Sequence, residues 1–337
     1  MSLETMTGKS AESRTGLWRT KSPRRVLKNG EQPFPVSFVF PSGRQLLSHI
    51  MHCAGLNRFN RTAFPEWSSH CVVSAIARYA TPVPFNETLK YRIETDAFLV
   101  YEQWGWPIPA SAMKQLKERA GNKVFILDMV DSAHFQPEGK SDTEGFKSFF
   151  RFTSLSKLLG LPGGGVGITG ERYIPFSPQT ESEHLLAALE RQGMIDDHPH
   201  GYLKNILMEH VAAVPANLWT WLKENDLWGA IEDERNARHQ NLKAVLDTQL
   251  AGSWPAWMKK AVNEGAGPGI APLFRRSSDE TLKKMKETLL KDAMIETEIY
   301  HFNWTGNPLE PSYEKCLAFP VHGMVEDIKN ILRCVEG

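Results

Sequence analysis

Apolar positions change their period along this chain. Between residues 36 and 170, short apolar runs alternate with stretches of helical spacing. Order is expected from Pro35-Val36-Ser37-Phe38-Val39-Phe40 onward. From Gln45 to Cys53, Leu46, Leu47, Ile50 and Cys53 recur as on one helix face. After His70, Val72, Val73, Ile76 and Ala77 do the same. Ala97 to Tyr101 reads as a strand, and a helix from about Ser111 to Arg119 turns Met113, Leu116 and Ala120 inward. Val124 to Val130 is a nearly continuous apolar run, the pattern of a central parallel strand covered on both faces. This alternation predicts a doubly wound α/β domain, whose ligands bind beyond the carboxyl ends of the strands.

The second half has another texture. Glu181 to Gly193 and most of 202–250 read as helical, and five tryptophans (Trp219, Trp221, Trp228, Trp254 and Trp257) gather there as core or dimer surface. Gly265-Ala266-Gly267-Pro268-Gly269 reads as a flexible joint. Ser277-Ser278-Asp279-Glu280 has capping-box spacing and opens a helix with Leu282, Met285, Leu289 and Leu290 inward. Strand-like 296–300 and 316–321 and a helix over 326–332 complete a small α/β domain. The expected division is a flexible arm over 1–34, a large domain over 35–200, and a helical connection with a small domain over 201–337.

Composition narrows the class. An apolar fraction of 41% and a charged fraction of 23% are those of a globular protein. Lys+Arg and Asp+Glu balance at 39 each, which points to neither nucleic acid nor a membrane surface. The basic run Lys21, Arg24, Arg25, Lys28 reads as a solvated tail. Cys53, Cys71, Cys316 and Cys334 are far apart, which argues for a reducing compartment and against a metal site. With no long apolar span and no secretory signal, a cytoplasmic location is expected.

One stretch carries the chemistry: Ser154-Leu155-Ser156-Lys157, then Pro162-Gly163-Gly164-Gly165. Alone it fits an ordinary turn with a surface lysine. It also fits an amine that forms a Schiff base with an aldehyde cofactor, beside hydroxyls and glycines that let backbone approach a phosphate. Ser42-Gly43-Arg44 opens the first helix, where free N–H groups suit phosphate, although Ser42 could simply cap the helix. Trp67 and His70, before the second helix, could cover an aromatic ligand, or Trp67 could be core. Asp131 ends the central apolar run, 26 positions before Lys157. Pyridoxal 5′-phosphate (PLP) needs this set: a lysine for its aldehyde, a carboxylate for its ring nitrogen, and hydroxyls, N–H groups and an arginine for its phosphate.

Over residues 36–175 the chain resembles the type I fold of PLP enzymes, and within it the DegT/StrS family of aminotransferases acting on nucleotide-linked keto sugars. Val130-Asp131-Ser132-Ala133-His134 resembles the family's acid motif, Ser154 to Lys157 with the glycine turn its lysine motif, and Ser42-Gly43-Arg44 its first phosphate-facing turn. Pro65 to His70 takes the place of the segment that stacks on the cofactor, and Phe319-Pro320-Val321-His322 is similar to a short strand near the family's C-terminus. The resemblance implies an α/β type I fold with a smaller C-terminal α/β domain and a homodimer with shared sites. It implies Lys157 as the Schiff-base residue, Asp131 at the ring nitrogen, His134 near the ring hydroxyl, and Ser42, Gly43, Arg44 and Ser154 on the phosphate. It further implies a small-molecule amino donor, glutamate or similar, and a keto acceptor. Asp128 also fits the ring nitrogen; Asp131 is preferred because His134 follows it at the family's spacing. A lyase or decarboxylase on the same cofactor, or a binding protein without turnover, are the alternatives.

Overall fold

The computed structural model describes residues 14–28, 30, 32–135, 145–176 and 214–336. The helix expected over 181–193 lies outside them, as do residues 1–13. A seven-stranded sheet organises the first half, in the order β2-β1-β3-β4-β5-β6-β7. Its strands are β1 (Arg61–Phe64), β2 (Thr81–Pro84), β3 (Ala97–Tyr101), β4 (Val124–Asp128), β5 (Ser148–Ser154), β6 (Gly165–Thr169) and β7 (Arg172–Tyr173). β2 to β5 of that order run parallel, and β6 and β7 turn back antiparallel. All five residues of β4 are buried, four of them apolar and the last Asp128.

Alternation along the strands divides the core. Phe98, Val100, Phe125 and Leu127 face one layer, together with Leu116 and Leu158. Leu99 and Ile126 face the other, with Leu46, Ile50 and Ile76. Helices α1 (Gly43–Cys53), α2 (His70–Tyr79), α3 (Phe85–Tyr91), α4 (Ala110–Ala120) and α5 (Leu155–Leu159) supply these layers.

A second sheet, β8 (Ile270–Leu273), β10 (Tyr313–Pro320) and β9 (Glu298–Asn303), is antiparallel with β10 in the centre. Around it lie α8 (Ala256–Asn263), α9 (Asp279–Ala293) and α10 (Ile328–Glu336), preceded by α6 (Ala216–Glu224) and α7 (Leu227–Leu246). Ser278 caps α9 by accepting from the Thr281 amide, and Leu282 and Leu289 are fully buried. The two cores divide inside α7: Leu227 and Ile231 pack on the large sheet, whereas Leu242 and Val245 pack on the small one. One long helix therefore belongs to both units, where the sequence suggests a boundary near residue 200.

Two stretches differ from their sequence reading. Residues 266–269 are buried, not a free joint: the Gly269 amide donates to the Trp104 carbonyl and its carbonyl accepts from Val321, which carries the chain into β8. The basic run near the N-terminus has partners. Arg25 pairs with Asp226 at 3.4 Å and Asp233 at 3.2 Å, and the Trp221 indole donates to the Pro23 carbonyl. Local charge pattern could not reveal this, because the partners lie some two hundred residues away.

The glycine turn has a backbone role. Gly164 and Gly165 bridge to Ser42 and Phe40, and a Cβ on Gly165 would stand 2.8 Å from the Ser42 carbonyl oxygen. Only a bare backbone lets β6 lie this close to the start of α1. Gly165→Ala is therefore expected to cost about 1–3 kcal/mol through overpacking. Gly252→Ala, where a Cβ meets open space, should stay within about 0.5 kcal/mol. Urea denaturation of both variants checks the contrast.

Candidate active site

Beyond the carboxyl ends of the parallel strands lies an open cavity of about 680 Å³. Sequence places its parts there for local reasons. The turn after β5 enters α5, where Leu155, Leu158 and Leu159 are fully buried. Their spacing leaves Ser156 and Lys157 on the open side of the short helix, and both line the cavity. The apolar residues around Lys157 are thus the helix's buried face. Gly160 ends α5 in the left-handed conformation, at φ 65°.

Opposite stands the N-terminus of α1. Ser42 caps it, accepting from the Gln45 amide at 3.2 Å, and Ser42, Gly43 and Arg44 line the cavity. A Cβ on Gly43 would come within 3.2 Å of the Ser154 Cβ. The bare glycine thus keeps a cradle open between α1 and Ser154, at the positive end of the α1 dipole. The Ser154 and Ser156 hydroxyls are 3.0 Å apart.

Two carboxyls stand near one amine. The Lys157 amine lies 3.6 Å from Asp131 Oδ1. That oxygen is buried and accepts no hydrogen bond among the described residues. The Asp131 carboxylate raises the pKa of Lys157 against the opposing effect of burial, so the amine is charged at neutral pH. Asp128, the last residue of β4, lines the cavity with Val130. Burial pushes its pKa up to about 7, against one hydrogen bond from the Val130 amide at 3.0 Å. Both acids are buried without full compensation, a state that a cationic or N–H-bearing ligand would relieve.

The other expected residues lie elsewhere. His134 turns to Glu102, with Nε2 2.9 Å from Oε2. Burial opposes its charge, but Glu102 outweighs that and raises its pKa. Ser132 donates to the same carboxylate, which pins the loop after β4. Trp67 stacks on His301, with ring centroids 4.2 Å apart, against the small unit. His70 begins α2, its Nδ1 3.4 Å from the Ser74 hydroxyl. Their neighbours Ser69, Cys71 and Val72 line the cavity. The structure thus brings Ser42, Gly43, Arg44, Asp128, Ser154 and Lys157 to one cavity wall, sets Asp131 behind the lysine, and holds Trp67, His70 and His134 outside the lining.

Arg238 of α7, absent from the sequence reading, organises this wall. It is 1% exposed. Its guanidinium donates to the Asp131 carbonyl at 2.8 Å, to the Leu158 carbonyl at 3.1 Å and to Glu234 at 2.7 Å. It therefore ties the loop that carries Asp131 to the helix that carries Lys157. The available sequence signal was an i,i+4 Glu–Arg pair, which usually marks a solvated helix face.

A family model described as "Putative PLP-dependent aminotransferase" matches residues 29–172. None of the curated proteins matches the sequence. Solved structures share the architecture. NtdA from Bacillus subtilis with bound cofactor PMP aligns at a TM-score of 0.55 and 14% identity over 89% of this chain and 73% of its own. A DegT/DnrJ/EryC1/StrS aminotransferase from Brucella abortus aligns at 0.53 and 15%, over 89% and 84%. The PLP form of a "Putative sugar aminotransferase Spr1654" from Streptococcus pneumoniae aligns at 0.51 and 12%, over 95% and 99%. At such identities the likeness is one of fold: this chain has the α/β fold of the type I PLP enzymes.

Two outcomes test the electrostatics. In the cofactor-free protein, Asp128 holds its proton up to about pH 7, against 3.8 as its ordinary value. The stability of the neutral form is complete below the ordinary value and is lost as pH rises through 7. Asp128→Asn should therefore be more stable than wild type at about pH 8, by up to about 4 kcal/mol, with the gap narrowing toward pH 4. Urea titrations across that range measure it; a variant less stable at pH 8 would show that the carboxylate has a strong partner. Arg238→Leu leaves Glu234 buried with Arg19 as its remaining cationic partner. A loss of about 3–5 kcal/mol is expected by the same measurement.

Proposed function

We propose that this chain is a PLP-dependent aminotransferase. It would move an amino group from an amino-acid donor, glutamate or similar, to the keto group of a nucleotide-linked sugar. The observation that carries the reading is the Lys157 amine at the wall of a cavity that also presents Asp128, Ser154 and the open end of α1. The family model over residues 29–172 and the DegT-type neighbour support the reaction class. The sugar acceptor rests on the DegT/StrS resemblance of the lysine and acid motifs.

The residues fit the cofactor. Ser42, Gly43, Arg44 and Ser154 would hold its phosphate, with the positive end of the α1 dipole behind them. Asp128 would meet the ring nitrogen, because it and Val130 line the cavity while Asp131 stands at the lysine. When bound, PLP supplies a reactive carbonyl and an electron sink.

The chain's own groups do the rest. Asp131 orients the Lys157 amine and keeps it charged until it is needed. Lys157 would then carry the proton at the substrate carbon. Asp128 would offer its carboxylate to the ring nitrogen, and its burial would make that interaction strong. Glu102, by holding Ser132 and His134, fixes the loop that follows the two acids. The working unit would be a symmetric homodimer with shared sites, in the cytoplasm.

Loading with PLP tests the reading. Wild-type protein should develop an absorbance band near the visible, and borohydride reduction should leave a phosphopyridoxyl mass on the peptide that contains Lys157. Glutamate should bleach the band, whereas a lyase or a non-catalytic binder would not show this half-reaction. Lys157→Ala should fold and lose both signals. Because Asp131 raises the lysine's pKa, loading should accelerate as pH rises from about 7 to 9, where the neutral amine becomes more abundant. A phosphopyridoxyl group on another lysine would reject the assignment.

A further inference from the structure

The N-terminal segment reaches the reactive lysine. Residues 15–21 cross the small unit and are fastened at several points. The Thr15 amide donates to the Met294 carbonyl, and the Thr15 carbonyl accepts from the Glu296 amide. His322, 1% exposed, donates from Nε2 to the Gly16 carbonyl at 3.0 Å. Leu17 is buried in the small unit's core. Arg19 pairs with Glu234, whose other oxygen holds Arg238. Between these anchors, the half-buried Trp18 sets its ring against Lys157, with Nζ 4.8 Å from the ring centroid.

The segment passes where only glycine permits it. A Cβ on Gly160, the residue that ends α5, would stand 3.0 Å from both the Arg19 carbonyl oxygen and the Lys21 amide nitrogen. The same turn that terminates the lysine's helix therefore serves as the seat of the strap. The Lys157 amine has two contacts: the Asp131 carboxylate at 3.6 Å and the face of Trp18 at 4.8 Å from its centroid.

We infer that Trp18 is a positioning residue for Lys157: its π face holds the amine toward Asp131 and shields it on the strap side, so that a carbonyl reaches Nζ from the cavity alone. The chemical importance of this role rests on the proposed function, but the contact itself does not require cofactor. The tryptophan face attracts the ammonium through the ring quadrupole, an interaction that a saturated side chain of similar bulk lacks. A wall of simple bulk and a π contact therefore predict different behaviour for different substitutions.

The test uses the full chain without cofactor and reads the rate at which trinitrobenzenesulfonate labels Lys157, by peptide mass spectrometry at about pH 8. The other lysines of the same chain report any general unfolding. Trp18→Phe keeps a ring face and should label within about twofold of wild type. Trp18→Leu keeps bulk without the face and should label Lys157 about two- to fivefold faster, with the other lysines unchanged. Gly160→Ala pushes the strap away while leaving Trp18 in the sequence, and it should give the same rise; it decides the matter alone if the leucine variant does not fold. A wild-type rate in Trp18→Leu, or in Gly160→Ala where that variant decides, overturns the inference. Because no cofactor is present, this failure is separate from a failure to load PLP, which would reject the proposed function and leave the lysine–tryptophan contact standing.

Discussion

The cavity depends on a guanidinium sealed inside the protein. Arg238 is anchored on α7, yet its hydrogen bonds end on the backbone of the loop after β4 and of α5. Those two segments come from different strands and have no covalent reason to keep a fixed spacing. Burying such a charge is expensive, and an apolar pair of equal volume would often be as stable. What a hydrocarbon cannot do is bind two carbonyl oxygens at once and so set the distance between Asp131 and Lys157. Glu234 makes the arrangement tolerable by neutralising the guanidinium, and it accepts from the Gly323 amide as well. The small unit, the long helix and the cavity wall are thereby joined through one ion pair.

Around the amine, charge is deliberately incomplete. One lysine faces two buried carboxyls, of which Asp128 is pushed toward neutrality and Asp131 has an oxygen that accepts no hydrogen bond among the described residues. A closed structural ion-pair network would satisfy each of these groups. A buried acid pushed toward neutrality at a cleft, beside a helix N-terminus and a glycine cradle, is instead the feature of a site shaped for a ligand. The division of labour between the acids follows from orientation: residues 128 and 130 line the cavity, and residue 131 comes round to the lysine.

The glycines show how geometry can be mistaken for chemistry. Pro162-Gly163-Gly164-Gly165 reads in sequence as a phosphate-friendly turn. In the fold it is where β6 meets the chain entering α1, at distances that a side chain would not permit. The turn shapes the cradle by letting backbones touch, and Ser42, Gly43 and Arg44 across from it provide the wall. His134 is a similar case. The family resemblance implies a place near the ring hydroxyl, while the Glu102 carboxylate, just after β3, gives it a partner inside the protein.

What the sequence determined by itself was local and periodic. The nearly continuous apolar run at Val124 had to be a central strand, and the spacing of Leu46, Leu47 and Ile50 had to be a helix face. Those constraints act within a few residues, so the α/β alternation, the lysine and the turn opening α1 were legible. Tertiary structure decided whatever depended on a partner far along the chain. It chose which carboxyl faces the cavity, because that depends on how the loop after β4 is folded by Glu102 and Arg238. It made residues 266–269 a buried crossing, seated by Trp104 and Val321. It also brought Trp18 to Lys157 across nearly half the chain, since the anchors of that segment are spread over the small unit and α7. Pairings of this kind leave no period in the sequence, and they exist only once the two cores have packed around their shared helix.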